Sequence, residues 1–319
     1  MEHLPQVSVV VPAYNVRGYI ADALVSLQQQ SLGEFEALIV DDGSTDGTRE
    51  LVEQFCQRDS RFHLLSKPNG GLSSARNYGI RHAQTDYIAL LDGDDRYAAD
   101  KLATHLAVLQ ANPTVGVVYS ASQTIRDDGR PTPMHLSGKP IHPDPLLALL
   151  CKNFVGHGSN AVFRRCLCAE VGEFDESLRS NEDVDFWLRV AALSHWRFYR
   201  EPRALCYYRV RPSGLSFNVE QMQCNRERVI AAAYERSPHR VGPMLPTAHA
   251  YLYRYLARLS LTAGDAAKAQ NYIHAALAAD RSIFWRDPRS LTTLVAVRLS
   301  SLSGFWLRRS LGSAESTPK

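Results

Sequence analysis

The chain has 319 residues, 45% apolar and 22% charged, with a net charge of +3, enough for a full core and for one large domain with a smaller appendage. Its six cysteines (Cys56, Cys151, Cys166, Cys168, Cys206, Cys224) lack paired metal-ligand spacing, and the Cys166/Cys168 pair has no companion histidines, so they read as reduced thiols of a cytosolic protein. No charged-then-apolar leader precedes Val7 and no apolar run reaches about 18 residues, so neither secretion nor a membrane span is expected.

The total charge hides an asymmetry. From residue 240 onward, 11 Lys or Arg stand against 4 Asp or Glu, a charge of +7, whereas residues 1–239 carry 25 against 29, or −4. An acidic first part suits a site built from carboxylates and a divalent cation. A basic end suits an anionic partner such as a membrane surface; nucleic acid is not expected, because no recognition motif accompanies the charge.

In chain order, Val7 to Val11 is a β-branched run ended by Pro12, and Ala37 to Val40 is another, ended by Asp41 and Asp42. Ile20, Ala23, Leu24 and Leu27 recur between them at helical spacing, and Leu51, Val52 and Phe55 follow a Ser44-Thr45-Asp46 start. The alternation continues with strands at Phe62 to Leu65, Tyr87 to Leu91 and Val115 to Ser120, and with helices at Ser73 to Ala83 and Asp100 to Gln110. Strand and helix in alternation predict an α/β fold with a mostly parallel sheet. Pro131, Pro133, Pro140, Pro143 and Pro145 then punctuate a loop-rich stretch suited to an acceptor-side insertion. A helix over 182–193 and a strand over 204–210 close this first region, 1–217, with a donor half of about 1–120 and an acceptor half of about 121–217. Residues 218–319 read as helical. Tyr251 to Ala263 and Ala266 to Ala279, broken at Gly264-Asp265, suggest one tetratricopeptide-like hairpin. Leu291, Leu294, Val295, Leu299, Leu302, Phe305 and Trp306 then form an apolar stripe beside Arg298, Arg308 and Arg309. Two readings of it stay open: a helix lying on the inner membrane face, and a helix docked on the protein or on a second copy.

In an open parallel sheet, ligands bind outside the carboxyl ends of the strands. The first strand ends in Pro12-Ala13-Tyr14-Asn15 with no glycine-rich phosphate loop; Tyr14 either stacks on a base or is a half-buried strand-end aromatic. The second ends in Asp41-Asp42-Gly43-Ser44. Two acids exceed what the turn needs, and Asp42 can accept from a nucleobase imide. The fourth ends in Asp92-Gly93-Asp94-Asp95, which is either a solvated acidic turn or a set of crowded carboxylates that calls for a cation; Mg²⁺ and Mn²⁺ bind one or two carboxylates plus a substrate diphosphate. Gly70-Gly71 before a helix that carries Arg76 is either a diphosphate-holding helix start or an ordinary loop and helix. Glu182-Asp183 opens a helix, where acids either serve the helix dipole alone or supply candidates for a general base.

Together VSVVVPAYN (7–15), VDDGSTDGT (40–48), NGGLSSARNYG (69–79), LLDGDDRY (90–97) and NEDVDFWLR (181–189) resemble the family 2 inverting glycosyltransferases of GT-A fold, over about residues 5–215. The resemblance implies that Pro12, Ala13, Tyr14 and Asp42 contact the base. It further implies that Asp92 and Asp94 form the DxD pair around Mn²⁺ or Mg²⁺, with Asp94 the nearer ligand, and that Asp183 is the catalytic base. Gly93 and Arg76 would lie near the donor, and Arg209 or Arg211 on a loop able to close over the diphosphate. Glu182 and His157 are candidates for the acceptor side, although His157 also reads as a plain loop residue. The implied partners are a nucleotide diphosphate sugar, with UDP expected, and a glycan or lipid-linked acceptor. The implied setting is bacterial surface glycan assembly, in the cytoplasm or on the inner membrane face. Two alternatives remain: a sugar-phosphate nucleotidyltransferase, which would need a glycine- and basic-rich first loop, and an inactive nucleotide-binding scaffold.

Overall fold

The computed structural model describes residues 4–136, 143–211 and 218–312, with side chains as far as residue 300. Pro140 and the side chains of Leu302, Phe305, Trp306, Arg308 and Arg309 lie outside the described residues. Two compact units divide the chain: one formed by residues 1–149 and 153–212, the other by 150–152 and 213–319.

The first unit is built on one sheet. Its strands are β1 (Val7–Ala13), β2 (Phe35–Asp41), β3 (Phe62–Ser66), β4 (Tyr87–Leu90), β5 (Arg96–Tyr97), β6 (Val115–Ile125), β7 (Pro131–Leu136), β8 (Val162–Arg164) and β9 (Arg197–Arg209). The order is β3-β2-β1-β4-β8-β6-β9-β5, with β7 on β6. From β3 to β4 every pairing is parallel, as the alternation predicts. All seven residues of β1 and of β2 are buried, the pattern of strands covered on both faces. The polar intruder Ser8 is satisfied by donating to Glu36 Oε1 at 2.5 Å. Helices α1 (Ile20–Gln28), α2 (Thr48–Arg58), α3 (Leu72–His82) and α4 (Lys101–Ala111) lie between these strands in the chain, and α1 buries the predicted Ile20, Ala23, Leu24 and Leu27.

Beyond β4 the sheet is mixed. The proline-punctuated stretch, expected to be loop-rich, contributes β7; α5 (Pro145–Cys151), β8 and α6 (Cys166–Val171) follow it, and β8 runs antiparallel to both β4 and β6. The strand expected over 204–210 starts earlier, at Arg197, because β9 pairs in parallel with the whole of β6, with β5 antiparallel on its other edge at Cys206 and Tyr207. Three residues of β8 are too few to carry a periodicity. Helix α7 (Glu182–Leu193) completes the unit.

The second unit is helical: α8 (Val219–Arg236), α9 (Pro238–Val241), α10 (Leu245–Thr262), α11 (Ala266–Asp280), α12 (Ile283–Arg286) and α13 (Pro288–Gly312). Its core is a seam of small residues, Ala250, Ala257, Ala269 and Ala276, closed by Ile273, Ile283, Phe284 and Val297. Asp265 caps α11 by accepting from the Lys268 N–H at 2.8 Å. No helix among the described residues is long and apolar enough to cross a membrane.

Close packing of α3 on the sheet rests on Gly79, where a Cβ would come 2.5 Å from Val10 Cγ1 and 3.1 Å from Val40 Cγ2. Gly79→Ala is therefore expected to cost about 1–3 kcal/mol through overpacking. Gly33→Ala, which meets nothing within 4 Å, should stay within about 0.5 kcal/mol of the parent. Urea unfolding of the two variants reads the difference, and equal midpoints would contradict the packing argument.

Candidate functional site

Parallel pairing of β2, β1 and β4 brings three chain reversals to one edge. The Asp42 N–H donates to the Ala13 carbonyl at 2.8 Å, and the Leu91 N–H to that of Val10 at 3.0 Å, so the residues after each strand end side by side. Pro12 and Ala13 are buried in the last positions of β1, and Tyr14 beyond them is 51% exposed. Asn15, at φ 50°, ties the first loop to the second: its Oδ1 accepts from the Thr45 N–H at 2.8 Å. Asp42 is 2% exposed. Its carboxylate accepts from Lys67 Nζ at 2.6 Å and from the N–H groups of Gly70 and Gly71 at 3.0 and 2.7 Å. These donors take most of its acceptor capacity, so Asp42 anchors the Gly70-Gly71 turn at the start of α3. Gly93 lies against β1, where a Cβ would stand 3.3 Å from the Pro12 carbonyl oxygen.

Four chain segments converge on Arg76, whose residue is 1% exposed. Its Nη1 donates to Glu182 Oε1 at 2.6 Å and its Nη2 to Asp92 Oδ1 at 2.7 Å. The fork thus joins α3 to the end of β4 and to the start of α7. Gly158 covers it, since a Cβ there would fall 2.0 Å from Arg76 Nη2. Burial pushes the Glu182 carboxyl up, Arg76 opposes this, and the nearby Asp183 charge reinforces it. Asp183 itself is half-buried on the first turn of α7, its Oδ2 accepting from Asn153 Nδ2 at 3.1 Å. Asn153 also donates to the Gly156 carbonyl at 2.9 Å and so is fixed from two sides.

The three aspartates after β4 have separate fates. Asp92 and Asp94 keep 24% and 19% of their side chains exposed, whereas Asp95 is buried. Asp94 pairs with Arg211 at 2.7 Å, and its carboxyl is pushed up to about 7 by burial and by the Asp95 and Asp92 charges, with Arg211 acting the other way. Asp95 faces inward: Ser159 Oγ donates to it at 2.5 Å and the Arg209 N–H at 2.8 Å.

Arg209, expected on a loop, is held in the sheet. It is the last residue of β9 and 4% exposed. Its guanidinium donates to the carbonyls of Asp94 (2.7 Å) and Asp127 (2.6 Å) and to Asp22 Oδ2 (2.7 Å). The continued pairing of Ile125 with Arg209 holds it in the sheet, leaving Arg211 as the arginine of this segment at the carboxylates. His157 is likewise turned inward, its Nε2 2.8 Å from Ser122 Oγ and its ring 4.4 Å from that of Tyr208.

Asp92, Asp94, Glu182 and Asp183 together face two guanidinium groups, those of Arg76 and Arg211. This excess of negative charge and hard oxygen suits a divalent cation, with Asp92 and Asp94 as the accessible donors. Asp95, His157 and Cys206 also bring ligand atoms within 4.8 Å of one another, but they are buried and internally bonded, Cys206 Sγ donating to the Ser159 carbonyl at 3.7 Å. Asn153, Gly158 and Ser159 escaped sequence reasoning. The run Asn153 to Asn160 is short, polar and free of periodicity, and the chemistry of its members appears only once β4 and α7 are beside it.

Arg76→Met strands buried carboxylates without their cation, and a loss of about 3–5 kcal/mol is expected. The double variant R76M/E182Q should recover part of it, because the stranded charge is gone. Chemical denaturation decides: a midpoint for R76M equal to the parent's would contradict the account.

Residues 8–172 match Glycosyl transferase family 2. The chain is 31% identical over 220 residues to the uncharacterized glycosyltransferase EpsJ of Bacillus subtilis (strain 168), covering 67% of this chain and 63% of that protein. The chain thus spans less than two thirds of that relative's length. Two solved structures superpose on it. The mannosyltransferase PcManGT from Pyrobaculum calidifontis, in complex with GDP-Man and Mn²⁺, has a TM-score of 0.60 at 22% identity, over 96% of this chain and 88% of that one. S. aureus TarS 1-349 in complex with UDP-GlcNAc has a TM-score of 0.56 at 20% identity, over 87% and 91%. The fold is the GT-A fold that the sequence predicts. On the match of more than half its length, the chain belongs to glycosyl transferase family 2.

Proposed function

We propose that this protein transfers a sugar from a nucleotide diphosphate sugar to a hydroxyl of a glycan or lipid-linked acceptor, with inversion at the anomeric carbon. The observation that carries the reading is the meeting of two acidic segments, through Asp92 and through Glu182 with Asp183 beside it, on the buried guanidinium of Arg76. Family membership supports it. So do the ligands of the two superposed structures, UDP-GlcNAc in TarS and GDP-Man with Mn²⁺ in PcManGT.

In this reading Tyr14 offers its exposed ring to the base, beside Pro12 and Ala13, and Asp42 holds the turn next to it. A UDP-sugar is the donor we propose. Asp92 and Asp94 hold Mn²⁺ or Mg²⁺, which when bound supplies Lewis-acid stabilisation of the departing diphosphate. Arg211, paired with Asp94, takes the diphosphate-facing role that buried Arg209 cannot. Asp183 accepts the proton of the acceptor hydroxyl while Asn153 fixes its orientation. Arg76 and Glu182 keep Asp183 and Asp92 in register. The setting we propose is bacterial surface glycan assembly on the cytoplasmic side of the membrane.

Asp183→Asn removes the base and keeps the shape, so kcat should fall about 10²–10⁴-fold with little change in donor KM. Release of nucleoside diphosphate in the presence of acceptor measures it, and an unchanged kcat would rule Asp183 out as base. Asp94→Asn and chelation by EDTA should each abolish turnover, with added Mn²⁺ restoring only the chelated parent. Full activity in EDTA would sink the metal assignment.

A further inference from the structure

Helix α13 carries apolar residues on two faces, one covered and one exposed. Its small and hydroxyl-bearing residues face the core of the second unit: Ser290 and Val297 are fully buried and Thr293 is 7% exposed. The hydroxyls of Ser290 and Thr293 are satisfied locally, by Asp287 Oδ2 at 3.1 Å and by the Arg289 carbonyl at 2.8 Å. Leu294 and Val297 pack on that core, whereas Leu291, Val295 and Leu299 face solvent at four-residue steps, at 43%, 48% and 60% exposure, and Trp285 of α12 is 83% exposed. Single exposed apolar side chains are ordinary, but a stripe of three on one helix face with a tryptophan nearby is not. Arg281, Arg286, Arg289 and Arg298 are exposed on the same stretch. The one acid between 281 and 300, Asp287, is buried and held by Lys152 at 2.5 Å, so it offers no opposing surface charge.

We infer that this face of α12 and α13 docks on an anionic lipid surface, with the apolar stripe entering the interface and the arginines meeting lipid headgroups. Charge decides the occupant. A second copy would bring the same arginines against these, whereas anionic headgroups complement them; Trp285 suits the boundary between water and acyl chains. On the transfer reading above, the same contact would hold the enzyme where a lipid-linked acceptor is presented.

The test is sedimentation of the full chain with vesicles of phosphatidylglycerol and phosphatidylcholine, and with phosphatidylcholine alone. The parent should pellet with the mixed vesicles only, and less so as salt is raised. The triple variant L291E/V295E/L299E should lose binding more than about tenfold. The variant R286Q/R289Q/R298Q should lose about a hundredfold, at roughly fivefold per arginine. Both sets of positions are on the surface, and unchanged melting would show the fold intact. No pelleting of the parent, equal pelleting with phosphatidylcholine alone, or a concentration-dependent dimer abolished by the triple variant would each overturn the inference. Donor hydrolysis without vesicles is read in parallel: its retention in the triple variant separates failure of this surface from failure of the transfer reading.

Discussion

A guanidinium buried to within 1% of its surface is tolerable only if its charge is met, and at Arg76 two carboxylates from distant parts of the chain do so. The interaction constrains the rest of the first unit. It requires β4 to end where α3 can reach it, α7 to begin with Glu182 turned inward, and residue 158 to lack a side chain. It also sets the polarity of the opening between them. With Glu182 and Asp92 drawn to Arg76, the adjacent Asp183 and Asp94 stand at its margin, one oriented by Asn153 and the other by Arg211. The residues with chemical capacity are thus placed by neighbours whose own function is electrostatic closure.

The parallel half of this architecture is legible in the chain because its physics is local. Strands β1 and β2 are covered on both faces and therefore read as unbroken apolar runs, and the loops that follow them carry the polar residues that ligands can reach. The mixed half is not legible in that way. Strand β8 has three residues, β5 has two, and β9 is interrupted at Arg200, Glu201, Pro202 and Arg203, so neither periodicity nor composition announces them. Pairing with β6 organises all of this, and such pairing is a tertiary fact.

The same limit explains the two arginines. Arg209 and Arg211 are two residues apart in a basic segment and look equivalent as a sequence. In the sheet the first continues the pairing with β6 and is absorbed by the carbonyls of Asp94 and Asp127 and by Asp22, while the second reaches Asp94 itself. Asp92, Asp94 and Asp95 divide similarly: motif reading treats them as one cluster, and burial assigns Asp95 to holding β9 and Ser159. In the helical unit, the apolar stripe of α13 is visible from the chain, but which face is covered follows only from the small residues packed beneath it.

The central claim is that the edge formed by β1, β2 and β4 holds a nucleotide diphosphate sugar together with a divalent cation. Thermal shift of the full chain against a panel of nucleotide sugars, with and without Mn²⁺, tests it directly. The account predicts stabilisation by one nucleotide class that depends on the metal and is lost in the Asp94→Asn variant. A folded protein that responds to no donor with metal present would contradict it, and would leave a family 2 fold serving as a scaffold.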